Sequence, residues 1–249
     1  MKELVYKDLF ERTSVERMSA EKPIEVLFAG GVCVGTVGEM SCIVGKPKVK
    51  KTFNMIAIAA AALSGKKVAG WNVELPSGKP KVLYVDTEQS RFHTERTRKR
   101  ICLCAGIAIE DSRLLVINIK KLSAQERLEF LEEIIKREGG IGLVILDGVR
   151  DLVGDINDNK TAHEVAEIIE KWCDDYGIHL VTTLHLNKTD KSPRGHLGAE
   201  ITAKAESVIM LEKEKNDEST KVSPLELRDV EFSPFWMTVN DDGLPVEAK

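Results

Sequence analysis

The segment Gly45-Lys46-Pro47-Lys48-Val49-Lys50-Lys51-Thr52 closes a glycine-led loop with a lysine and a hydroxyl. That order of residue types suits the binding of phosphate. Backbone N–H groups of such a loop wrap a phosphate, the lysine reaches the β and γ oxygens, and the hydroxyl ligates magnesium. Gly45, Lys51 and Thr52 fill these three roles. The loop lies between the apolar run MSCIVG and an alanine-rich stretch, the setting in which a phosphate meets a helix N-terminus. Lys50 departs from the pattern, because it stands where the motif has its second glycine. The expectation is an ordinary backbone conformation there, with Lys50 turned to solvent or to a neighbouring subunit. Lys51 and the helix N-terminus already serve an anion, and a second ammonium beside Lys51 would repel it. Taken alone, the segment is also what a chance match in a lysine-rich loop would give: Lys46, Lys48, Lys50 and Lys51 are equally a solvated charge cluster.

Two further runs end in carboxylates. LYVDTEQS carries Asp86 and Glu88, and IGLVILDGVRDL carries Asp147. If each run is a buried strand, these carboxylates emerge at the carboxyl edge of a parallel sheet, where its ligands bind. Glu88 could there orient or activate a water, and Asp147 could hold magnesium. An acid after a strand is as often the cap of the next helix, so neither carries the reading by itself. A third run, HLVTTLHL, ends in His185.

The elements that must position these residues follow from hydrophobic pattern. Apolar runs of strand length alternate with longer amphipathic stretches. MSCIVG leads to a helix over Thr52 to Leu63; KVLYVDTE to a helix through Arg100; LLVINI to a helix over Ala124 to Arg137; IGLVILDG to a helix over Thr161 to Tyr176; and HLVTTLHL completes the series. Continuous Val/Ile/Leu runs mean strands covered on both faces, and strands separated by helices mean a parallel sheet. The fold class expected is α/β, mostly parallel and doubly wound. After about residue 206, SVIMLEKEK, VSPLELRDV and FWMTVN read as antiparallel edge strands. Residues 1–25 read as a short helix (Leu4, Val5, Leu9 and Phe10 at helical spacing) and a linker, and 26–249 as one domain.

Composition narrows the partners. The chain of 249 residues has a net charge of -4, so nucleic acid could only meet a local basic patch. The five cysteines are scattered without a CxxC pair and read as reduced core residues, and no zinc site is indicated. The N-terminus MKELVYKDLFERTSVERM has no apolar leader segment and no membrane-length apolar run occurs, so a soluble, cytoplasmic protein is expected. The mixed charges of Glu126 to Arg137 read as a solvated helix face.

Taken in order, GKPKVKKT, VLYVDTEQS, LVILDGVRDL and VTTLHLNK resemble the RecA superfamily of P-loop ATPases, and within it the DnaB-type and RepA-type hexameric helicase branch. Over residues 24 to 240 the chain is similar to stand-alone AAA-type ATPases found with plasmids and conjugative elements. The resemblance implies ATP and Mg2+ as cofactors, the whole loop Gly45 to Thr52 around the phosphates, and Thr52 and Asp147 on the metal. It also implies Glu88 as catalytic glutamate and His185 as sensor of the γ-phosphate. It puts a trans-acting arginine finger on Arg228, although Glu226 stands where a basic partner is usual, and DNA contacts at Lys188, Lys191 and Arg194. No primase or zinc domain is expected beside the ATPase domain.

The function this implies is ATP hydrolysis coupled to work on single-stranded DNA by a head-to-tail homo-oligomeric ring, such as a hexamer. With 5% aromatic residues and none in the DNA loop, contact would be to backbone phosphates rather than by base stacking. The alternative is a nucleotide-gated switch or adaptor that hydrolyses weakly and recruits protein partners. A small-molecule kinase is disfavoured, since no arginine-rich lid follows the P-loop helix.

Overall fold

The structure, a computed structural model, describes residues 2–14, 22–187, 192–213 and 218–248. An N-terminal helix α1 (Lys2–Thr13) precedes a hairpin of β1 (Glu25–Ala29) and β2 (Val32–Thr36). Then come β3 (Met40–Gly45), α2 (Lys51–Ser64), β4 (Trp71–Val73), β5 (Lys81–Asp86), α3 (Arg91–Ala105), β6 (Leu114–Asn118) and α4 (Ala124–Glu138). They are followed by β7 (Ile141–Asp147), a single 3-10 turn (Val149–Leu152), α5 (Asn159–Tyr176), β8 (His179–His185), α6 (Gly195–Lys204), β9 (Ser207–Lys213), β10 (Thr220–Leu227), β11 (Phe235–Val239) and β12 (Pro245–Glu247).

A 9-stranded sheet runs β12-β11-β10-β9-β3-β8-β7-β5-β6, and a 3-stranded sheet runs β2-β1-β4. The strands from β9 across to β6 pair in parallel, and β10, β11 and β12 are antiparallel, as the apolar runs and the late polar breaks imply. The small sheet, whose hairpin turns on Gly30-Gly31, was not foreseen.

Alternation along the strands builds one core on each face. Ile43, Tyr84, Ile145 and Val181 face α2, α3 and the small sheet. Val44, Val85, Leu146 and Leu180 face α4, α5 and α6. All seven residues of β7 are buried, which explains its unbroken IGLVILD composition. On α2, Met55, Ile56 and Ile58 are 0% exposed, and each such side chain contributes about 2 kcal/mol. Ala57 and the run Ala59 to Ala62 are small enough to let the helix sit close to the sheet, with its first turn, Lys51-Thr52, over the ends of β3 and β7. Two helix starts are capped by side chains: Ser123 and Glu126 form a reciprocal box on α4, and Asp158 accepts from the Thr161 N–H on α5.

At the amino-terminal edge of the sheet a buried polar knot ties the small sheet to the large one. His179, 0% exposed, has Nδ1 2.8 Å from the Thr36 carbonyl and Nε2 3.1 Å from Ser41 Oγ. Ser41 and Ser207 both donate to the Val34 carbonyl. Burial lowers the His179 pKa from 6.5 to about 4, so the ring is neutral at neutral pH.

Candidate functional site

The parallel register brings the strand ends into line. Gly45 of β3 pairs with His185 of β8, and Asp86 of β5 with Asp147 of β7. These four residues come from adjacent strands of one sheet edge, and α2 starts above them. Gly45 is required by close approach: a Cβ there would lie 2.6 Å from Val49 Cγ2 and 2.9 Å from the Leu211 carbonyl oxygen.

The phosphate loop does not take an ordinary backbone conformation at Lys50, contrary to the expectation from sequence. Lys50 has φ 61 and ψ 36, in the left-handed region, and Lys48 has φ 69. The loop keeps the path that a glycine would follow and a lysine bears the strain, about 1–2 kcal/mol for a non-glycine residue. The Lys50 ammonium donates to the Glu218 carbonyl of the same chain. Val49 is buried and anchors the loop, whereas Lys46, Pro47 and Lys48 form its exposed rim.

Lys51 is 9% exposed, and its Nζ lies 3.0 Å from the Gly45 carbonyl, 3.2 Å from the Lys46 carbonyl and 3.1 Å from His185 Nδ1. An ammonium is only a donor, so Nδ1 accepts and the proton of neutral His185 resides on Nε2. Burial, then the charges of Lys51 and Arg194, lower the His185 pKa, in keeping with the neutral ring. Burial likewise lowers the Lys51 pKa from 10.5 to about 8, against the raising effect of Asp147 and Glu88.

Asp147 is the hub of the polar floor. Its Oδ2 accepts from Thr52 Oγ1 at 2.8 Å and from Tyr84 OH at 2.9 Å, and its Oδ1 accepts from Thr183 Oγ1 at 3.1 Å. Burial raises its pKa, opposed by the hydrogen bonds from Thr52 and Tyr84. Asp86, by contrast, does not project into the cleft as a free carboxylate. It is 1% exposed, accepts from the N–H groups of Glu88 (3.1 Å) and Gln89 (2.9 Å), and takes the Thr94 hydroxyl at 2.7 Å. It shapes the turn that carries Glu88. The opposite wall of that turn is Gly148, with φ +115, where a Cβ would lie 2.4 Å from Thr87 Oγ1 and 3.2 Å from Glu88 Oε1. Glu88 is exposed as a residue, yet its carboxyl end sits against protein: burial, then Asp151 and Asp147, raise its pKa, and Lys51 lowers it.

These groups line one cleft of about 410 Å³, which includes Lys51, Thr52, Glu88, Asp147 and His185. Its far wall is α3, through His93, Thr97 and Arg100, whose guanidinium lies 4.9 Å from the Phe53 ring centroid. Sequence reading missed Tyr84, Thr183 and this α3 wall. Tyr84 and Thr183 stand two residues before Asp86 and His185 on their strands, and that period-2 spacing to the site residues was the available signal.

The remaining expectations are placed unevenly. Lys188 and Lys191 lie outside the described residues. Arg194 is the N-cap of α6, its N–H donates to the His185 carbonyl, and it lines a small pocket with Arg150 and His185. Arg228 follows the end of β10 at the amino-terminal edge of the sheet, where it bonds the Lys204 carbonyl (3.1 Å) and Glu39 (3.4 Å). Within one chain it does not meet the cleft.

Among the described residues, no helix is long and apolar enough to cross a membrane. Residues 31–191 match an established protein family, described as an AAA domain. The matched span runs from β2 through β8 and holds every residue of the cleft named above. No curated protein matches the chain.

Proposed function

The chain belongs to the AAA domain family of P-loop ATPases, and from that premise we propose that it binds Mg–ATP in the cleft and hydrolyses it, with Glu88 as the proton acceptor. The observation that carries the reading is the convergence of Lys51, Thr52, Asp147, His185 and Glu88 on one cleft at the N-terminus of α2. The triphosphate would meet the loop Gly45 to Thr52, with Lys51 supplying charge to the β and γ phosphates. Thr52 and Asp147 offer an all-oxygen donor set, hydroxyl and carboxylate 2.8 Å apart, which suits a hard divalent cation. Bound there, Mg2+ would neutralise phosphate charge.

Glu88 then receives the proton of the attacking water, and its raised pKa makes it a better base than an ordinary exposed carboxylate. Neutral His185 holds Lys51 through Nδ1 and keeps its Nε2 proton to donate to the γ-phosphate.

The larger reading is a ring of identical subunits working on single-stranded DNA through Lys188, Lys191 and Arg194, with Arg228 reaching the neighbouring subunit's nucleotide. Support comes from the exposure of Arg194 close to His185, on the cleft side of the sheet. The test is the ATPase rate with and without single-stranded DNA, alongside mass by light scattering. Stimulation by DNA together with an oligomeric mass supports the motor; slow turnover indifferent to DNA supports the switch or adaptor instead. A variant with all three basic residues reversed should bind strands weakly, lose its salt dependence and keep its ATP affinity.

A further inference from the structure

Lys50 has no evident reason to be a lysine if its backbone must follow a left-handed path. A glycine would adopt φ 61 without strain, and an asparagine at little cost. What the lysine adds is reach: its ammonium donates to the Glu218 carbonyl just before β10, across 168 positions of sequence. A second bond joins the same two places, Thr220 Oγ1 to the Val49 carbonyl at 3.4 Å. Thr220 is 0% exposed, and β10 continues through β11 to the antiparallel edge of the sheet. Two consecutive residues of the phosphate loop are therefore fastened to the start of one strand outside the parallel nucleotide-binding core.

We propose that Lys50 is a positioning residue that fastens the phosphate loop to the start of β10, so that nucleotide binding at the loop is felt as tightening of residues 218–222. The coupling rests on the proposed ATP site, and by linkage anything that shifts the start of β10 would change nucleotide affinity by the same factor. Lys50 acts in this proposal through the carbonyl that its ammonium bonds, not on the phosphates.

The experiment is amide hydrogen exchange on the full chain, with and without Mg–ATP, in the parent, Lys50→Asn and Lys50→Arg, beside ATP affinity by calorimetry. Asparagine accepts the left-handed backbone and cannot reach Glu218; arginine restores a long donor. Without nucleotide, amides 218–222 should exchange at least threefold faster in Lys50→Asn than in the parent. Mg–ATP should slow them at least threefold in the parent and in Lys50→Arg, and less than 1.5-fold in Lys50→Asn at saturating nucleotide. Equal exchange at 218–222 in the parent and Lys50→Asn would overturn the tether. A tenfold loss of ATP affinity in Lys50→Asn would overturn it too, by making Lys50 a phosphate ligand. If the parent does not bind ATP at all, the functional reading fails, and the nucleotide-free comparison still decides whether the tether exists.

Discussion

Thr52 Oγ1 donates to Asp147 Oδ2 at 2.8 Å, which joins the first turn of α2 to the carboxyl end of β7. In the proposed site both oxygens are cation ligands, so loss of one should appear as a metal-dependent defect. Thr52→Ala should lower turnover at least tenfold at limiting Mg2+ and recover part of it as Mg2+ is raised, a response read from a Mg2+ titration of the ATPase rate. A defect of the same size at every Mg2+ concentration would separate Thr52 from the metal.

Lys51 should change protonation when the nucleotide arrives. Its pKa is about 8 without ligand, so at pH 8.5 about a quarter of molecules carry the charge; triphosphate should restore the full charge. Binding at pH 8.5 should then take up about 0.8 proton per site, against about 0.1 at pH 7. Calorimetry in buffers of different ionisation enthalpy measures this. The same slope of enthalpy against buffer enthalpy at both pH values would remove Lys51 from the phosphate contacts.

The buried His179 predicts how stability falls in mild acid. Its pKa is lowered from 6.5 to about 4 in the folded state, so between those values the unfolded chain binds the extra proton. Stability is therefore fully present above about pH 6.5 and is lost as pH falls toward 4, by about 1.3 kcal/mol between pH 7.5 and 5.5 from this group. Urea denaturation at both pH values, in the parent and in His179→Gln, isolates the contribution: the difference should be smaller in the variant by that amount.

Gly148 closes the wall behind Glu88. Gly148→Ala places a Cβ at φ +115 and 2.4 Å from Thr87 Oγ1, so it should destabilise the protein by about 3 kcal/mol and displace the Glu88 turn. Denaturation and turnover together check this. Stability within about 0.5 kcal/mol of the parent would show that the turn is free to rearrange.

Much of this was legible in the sequence for identifiable reasons. Strands buried on both faces, such as IGLVILD, and the alanine-rich α2 declare a parallel sheet by composition alone, and motif order along the chain fixed which strand ends meet. The hairpin of β1 and β2 was missed although Ala29-Gly30-Gly31-Val32 is a two-glycine turn between apolar runs, a standard hairpin signal. Lys50 was misread for a different cause. Side-chain type argues against positive φ, but the surrounding loop, with Val49 packed under it and Glu218 at its ammonium, over-determines the backbone. Asp86 and Glu88 are indistinguishable as carboxylates after a strand. Only the turn geometry shows that Asp86 accepts the N–H groups of Glu88 and Gln89 while no such bond ties Glu88.

Hydrolysis of ATP in this cleft with Glu88 as proton acceptor is tested most directly by single-turnover hydrolysis by Glu88→Gln beside its ATP affinity. The amide keeps the shape of the carboxylate and cannot take a proton from water. Glu88→Gln should hydrolyse ATP at least 100-fold more slowly than the parent, about 2.7 kcal/mol in activation free energy, with ATP affinity within threefold. Hydrolysis by Glu88→Gln at the parent rate would contradict it and move the proton acceptor elsewhere in the cleft.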